Sequence, residues 1–216
     1  MYAFAPVYIA WAPYQSTMLL IQKIFYFHVP SAFAMFTGAF VCGIASARYL
    51  ATKRPQSDAT AHAAAGLSVL FGTIVLVTGP LWARKAWGAW WIWDAHQTIS
   101  LLTWMIFTVY LLLRRFGGPG TETLSAAVGL FGMATVPFVY FSARVWRTLH
   151  PQPTVVPTLP PGMRGPFWFC VVAFQFLFLT LLILRTRSEV LRQRMDDYYL
   201  TEDEDPITSN DIRPAV

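Results

Sequence analysis

Gly165 to Leu184 reads Gly-Pro-Phe-Trp-Phe-Cys-Val-Val-Ala-Phe-Gln-Phe-Leu-Phe-Leu-Thr-Leu-Leu-Ile-Leu, 20 residues without a charge between Arg164 and Arg185. A helix of that length covers about 30 Å, the hydrocarbon thickness of a bilayer. Four more charge-free runs of similar length precede it: Val29 to Ala47, Ala63 to Ala83, Ala95 to Leu113 and Thr123 to Ala143. The expectation is an all-α polytopic membrane protein with five transmembrane helices. Pro137 should kink the fourth span, and no internal repeat is visible.

Composition agrees. The chain is 56% hydrophobic and 16% aromatic, and only 12% of it is charged, about half the charge of a soluble domain. Cys42 and Cys170 both lie inside apolar runs, which suits core residues better than a redox pair. Residues 1–22 lack the basic start of a cleavable signal. Pro6 and Pro13 interrupt them, so they read as an interfacial lip or as the end of a helix that begins earlier.

Lys and Arg set the expected orientation. One set of connections carries nine of them: Arg48, Lys53, Arg54, Arg114, Arg115, Arg185, Arg187, Arg192 and Arg194. The other carries six: Lys23, Arg84, Lys85, Arg144, Arg147 and Arg164. The richer set should be cytoplasmic, which places the C-terminus inside and the connection between the second and third spans outside. Eight of the 11 acidic residues lie from Glu189 onward. The expected division is a membrane domain over 1–188 and an acidic, disordered cytoplasmic tail over 189–216.

The outer connection between the second and third spans is tryptophan-rich. Trp82, Trp87, Trp90, Trp91 and Trp93, five of the nine tryptophans, crowd into it together with Asp94. Read as a helix, Trp87, Trp90, Trp91 and Asp94 share one face, and Trp93 points elsewhere. An aromatic belt at the bilayer edge accounts for some of these indoles. Five of them in 12 residues, ending in a carboxylate, also make a platform for a flat ligand.

Three of the four histidines join that end of the bundle: His28 before the first span, His96 at the start of the third and His150 after the fourth. His62 falls at the opposite end. Pro30 and Pro151 should hold the backbone beside His28 and His150 out of regular helix. Interfacial histidines often only hydrogen-bond. A flat macrocycle on the indoles with His28 and His150 as axial iron ligands explains the tryptophans as well. Zinc would need further ligands, and Asp94 is the only carboxylate on that side. Haem carries propionates, for which Arg84, Lys85, Arg144, Arg147 and Arg164 are available. His96 has three readings: a protonated propionate partner, favoured by nearby Asp94, an alternative iron ligand, or a cap on the third span.

These residues resemble the CcmC family of cytochrome c maturation proteins. The resemblance rests on Trp-Gly-Ala-Trp-Trp-Ile-Trp-Asp at Trp87–Asp94, on Tyr-Phe-His-Val-Pro around His28 and on Trp-Arg-Thr-Leu-His ending at His150. It covers roughly Ala12 to Arg187. It implies a non-enzymatic protein that binds haem b at the outer face of a bacterial inner membrane, on the periplasmic side. Its axial ligands would be His28 and His150, with Trp87, Trp90, Trp91, Trp93 and Asp94 in the haem-handling segment. The implied partners are the haem chaperone CcmE, the small protein CcmD, the ATP-binding cassette subunits CcmA and CcmB, and membrane lipid, with no nucleic acid. The family usually has six spans, whereas five are visible in this sequence. It usually has Arg then Leu where His96 and Gln97 stand, and a Trp where Val145 stands. The alternatives are a bis-histidine b-type cytochrome in electron transfer and a haem-exporting permease subunit, though a permease would carry ionisable groups within its spans.

Overall fold

The computed structural model describes residues 4–13, 19–151 and 156–204. Among these the regular structure is helical throughout: α1 (Ala5–Trp11), a 3-10 segment (Leu19–Ile24), α2 (Phe25–Thr52), α3 (Pro55–Trp87), α4 (Ala95–Phe116), α5 (Thr121–Val145) and α6 (Pro161–Glu204). Five of these segments are long and apolar enough to cross a membrane, as expected from the charge-free runs.

The turns follow from local chemistry. Lys53 takes the left-handed conformation (φ 53°) and donates its N–H to Tyr49 O, and Pro55 then opens α3 where its missing N–H costs nothing. Gly117-Gly118-Pro119-Gly120 separates α4 from α5, with Gly118 and Gly120 at φ 73° and 88°.

Helix α2 is the central element and packs on α3, α5 and α6, while α4 closes the bundle against α3 and α5. Small residues let the backbones approach. A Cβ on Gly129 of α5 would lie 2.7 Å from Ser46 Oγ and 3.1 Å from Cys42 Sγ of α2. Cys42 and Cys170 are both buried, free thiols. The aromatic side chains Tyr26, Phe71, Phe107, Tyr110, Phe167 and Phe178 fill the interior and are essentially inaccessible.

The lip at residues 1–22 is only partly described; Met1–Ala3 and Tyr14–Met18 lie outside the described residues. Its α1 lies on α6, with Tyr8 edge-on to Phe169. Lys23 Nζ donates to the carbonyls of Ile9 (2.5 Å), Ala10 (3.1 Å) and Ala12 (2.6 Å), placing a cation on the unsatisfied end of α1.

Two expectations about backbone are corrected. His28 sits inside α2, not in a turn, because Pro30 is accommodated within the helix and buried. The 3-10 segment leads directly into α2, and Phe25 and Tyr26 anchor that end on Phe167, the former stacked at 5.0 Å. The expected boundary at residue 188 falls inside α6, which runs unbroken to Glu204. Ties to α3 hold the extension: His62 Nδ1 lies 3.1 Å from Glu189 Oε2, and Gln193 Nε2 donates to Asp58 Oδ2 at 3.1 Å. Residues 205–216 lie outside the described residues.

At the same end Arg114 Nη2 donates to Asp58 Oδ2 at 2.7 Å, with both side chains more than nine-tenths buried. Removing one partner of a buried pair strands the other charge. Arg114→Ala should therefore cost on the order of 3 kcal/mol. The measurement is thermal unfolding in detergent, where an unchanged midpoint would show that the pair contributes nothing.

Candidate functional site

The opposite end of the bundle gathers the start of α2, the end of α3, the start of α4 and the segment after α5. Helix α3 stops at Trp87 because Gly88 adopts φ 76°. Residues 89–94 are therefore not helical, which corrects the expected stripe: Trp90, Trp91 and Asp94 do not continue a helical face from Trp87. The indoles form two edge-to-face pairs instead, Trp82 with Trp87 at 5.3 Å and Trp91 with Trp93 at 5.7 Å. Trp90 and Trp93 are 57% and 76% exposed, a large apolar area presented outward.

Asp94 begins α4, and its carboxylate binds two elements together. Oδ1 accepts the N–H of Gln97 at 2.8 Å, which N-caps the helix. Gln97 Oε1 reaches back to accept the N–H of Ile92 at 2.9 Å, closing a variant of the capping box over the tryptophan segment. Oδ2 accepts a short hydrogen bond from Thr148 Oγ1, and Thr148 Oγ1 accepts the N–H of His150 at 3.0 Å. One carboxylate thus fixes the start of α4 and the segment that carries His150. Asp94, not His96, caps the third span.

The histidines share one hydrogen-bonding logic. Thr78 Oγ1 donates to Ile74 O at 2.7 Å, so toward His28 Nδ1, 2.9 Å away, it accepts. His96 Nδ1 lies 3.1 Å from Val139 O, and His150 Nδ1 lies 2.9 Å from Pro151 O. A carbonyl oxygen can only accept. All three imidazoles therefore carry their proton on Nδ1 and keep the lone pair on Nε2, the form that binds a metal. Ser142 Oγ, 3.0 Å from His96 Nδ1, donates to Val139 O and steadies the same corner. The rings of His96 and His150 stack at 4.0 Å with 29° between planes. Burial, and then the neighbouring His96 and His28, push the His150 pKa down to about 3, so its imidazole is neutral across the physiological range.

Among the described residues no three His, Cys, Asp or Glu side chains form a group that could hold a metal ion. A tetrahedral zinc needs four donors around one point. An iron macrocycle takes two axial imidazoles, fewer protein donors than a zinc site.

The basic residues spread around this end. Arg84 donates to Gly88 O, across the cap of α3. Arg144 lies 5.0 Å over the Tyr140 ring, Arg164 donates to Leu159 O at 2.6 Å, and Arg144 and Arg147 are exposed. Lys85 is exposed on the last turn of α3.

Sequence reasoning missed Thr78, Thr148, Val139 and Ser142, which orient the imidazoles across long separations. Gln97 was legible, since Asp94-x-x-Gln97 is a capping spacing.

A family model described as CcmC, Heme exporter protein C, matches residues 3–201. The chain is 34% identical over 179 residues to a Heme exporter protein C of Bradyrhizobium diazoefficiens, covering 80% of this chain and 68% of that protein. It is 32% identical over 173 residues to a cytochrome c biosynthesis ccmC-like mitochondrial protein of Marchantia polymorpha, covering 78% and 74%. With the Heme exporter protein C of Escherichia coli K12 the identity is 29% over 178 residues, covering 78% and 70%.

Proposed function

Since the chain belongs to the CcmC, heme exporter protein C, family, we propose that it binds haem b at the outer face of the cytoplasmic membrane and delivers it to a periplasmic haem chaperone of the CcmE type. The observation that carries this reading is the set of Nδ1 contacts of His28, His96 and His150, to Thr78 Oγ1, Val139 O and Pro151 O, at one end of a bundle that also presents the tryptophans.

His28 and His150 are the proposed axial ligands. His28 rides on α2 with Thr78 of α3 behind it, a rigid support. His150 rides on the segment after α5, held by Thr148 and Asp94. One ligand on a helix and one on a loop suits a haem that must leave. Trp90 and Trp93, exposed, offer flat apolar contact to the macrocycle or to the acceptor, with Trp87 and Trp91 packed against their neighbours. Arg84, Arg144 and Arg147 supply positive charge for the propionates. The end bearing these residues faces the periplasm and the C-terminus the cytoplasm, by the distribution of Lys and Arg. CcmD and the CcmA–CcmB transporter are the proposed membrane partners.

The test is to purify the protein from haem-replete cells, record its absorption spectrum and mix it with apo-chaperone. A low-spin, bis-imidazole haem that moves to the chaperone is the expected result. A haem that stays bound through repeated reduction and oxidation would instead identify an electron carrier.

A further inference from the structure

Iron in a macrocycle has two axial positions, and this end of the bundle offers three open imidazoles. His28 is borne by α2 and buttressed by Thr78 of α3. His96 and His150 stand together, rings stacked 4.0 Å apart. Stacked rings at that separation occupy neighbouring volume, which puts a second imidazole directly beside the proposed ligand. Neither Nε2 is committed to a protein partner in the bonds that hold these rings. Each is fixed through Nδ1, His96 by Val139 O and Ser142 Oγ, and His150 by Pro151 O. Asp94 does not occupy them either, because both its oxygens are engaged, with Gln97 N and with Thr148 Oγ1.

The two rings differ in what carries them. His96 lies in the first turn of α4, a helix capped by Asp94. His150 lies in an irregular segment tied down mainly through Thr148. When the Asp94–Thr148 tie opens, His150 can move while His96 stays in place.

We propose that His96 is a reserve axial ligand for haem iron, exchanging with His150 opposite a constant His28. This rests on the reading that His28 and His150 ligate haem. The exchange balances simply: the bond from iron to His150 Nε2 breaks as the bond to His96 Nε2 forms. Neither nitrogen carries a proton, and the iron keeps its oxidation state. Haem thereby remains six-coordinate on two helices while the His150 segment moves aside for an acceptor. The propionate role read for His96 from sequence fits less well, since its Nδ1 proton is directed into the protein at Val139.

The experiment compares ferric absorption and electron paramagnetic resonance spectra of purified, haem-loaded variants of the full chain. His96→Ala should keep the wild-type low-spin spectrum. His150→Ala should also stay low-spin, with haem content within about threefold of wild type and a shifted resonance from the new ligand pair. His96→Ala/His150→Ala should turn high-spin and return to low-spin on adding imidazole, which shows that its fold is intact. A His150→Ala protein as high-spin as the double variant overturns the reserve ligand alone, provided His28→Ala is also high-spin. A low-spin double variant, or a wild type without haem, overturns the axial assignment on which it rests as well.

Discussion

His28→Ala should abolish the low-spin haem spectrum and lower haem retention more than 100-fold, the largest effect of any single change. The reason is that only one of the two proposed ligands has a second imidazole stacked on it. His150 has His96 stacked on it at 4.0 Å, whereas the contact that holds the His28 ring is Thr78 Oγ1, a hydroxyl. Removing His28 leaves an open coordination position that small ligands can fill, so added imidazole should restore the low-spin bands. A graded companion is Thr78→Val, which keeps the shape and deletes the acceptor for His28 Nδ1. Loss of a hydrogen bond behind a ligand typically lowers affinity roughly 10–100-fold. Thr78→Val should therefore weaken retention by about 10-fold while leaving the spectrum low-spin. Equal retention in His28→Ala and wild type would remove His28 from the iron altogether.

The second large effect concerns Asp94. Its two oxygens do separable work: Oδ1 caps α4 at Gln97, and Oδ2 holds Thr148 and through it the N–H of His150. Asp94→Ala loses both. The lost cap alone costs about 1 kcal/mol. The lost tie leaves the His150 segment with no fixed place against α4, so haem settles on the proposed His28–His96 pair and its transfer to the chaperone should fall by at least 10-fold. Asn caps helices about as well as Asp. Asp94→Asn should therefore recover the stability and only part of the transfer, because its amide nitrogen cannot accept from Thr148. Thr148→Val should reproduce the transfer defect with no loss of helix stability. Thermal unfolding and stopped-flow transfer read the two quantities separately. Were Thr148→Val to transfer haem at the wild-type rate, the tie would have no part in handover.

These two predictions mark the line between what was legible and what was not. The five spans were readable because a charge-free run of bilayer length is a local, compositional property, and the bundle reproduces all five. The grouping of the tryptophans, Asp94, His28, His96 and His150 at one end was readable too, since alternating spans allow a residue only two ends. The indole stripe failed at a single residue: Gly88 takes a left-handed conformation and ends α3 before Trp90. Helix α6 runs past the expected boundary at residue 188 to Glu204, where Glu189 and Gln193 reach side chains of α3.

By itself, then, the sequence determined that this chain is a helical membrane protein and which side chains lie toward each end of it. It could not determine their pairings. Thr78 is 50 residues from His28, and Thr148 is 54 from Asp94. His96 and His150 are likewise brought together only by the packing of α4 on α5. Whether an imidazole keeps Nε2 open depends on what accepts from Nδ1. For His28 and His96 that acceptor lies on another helix, so only the packed bundle could choose it.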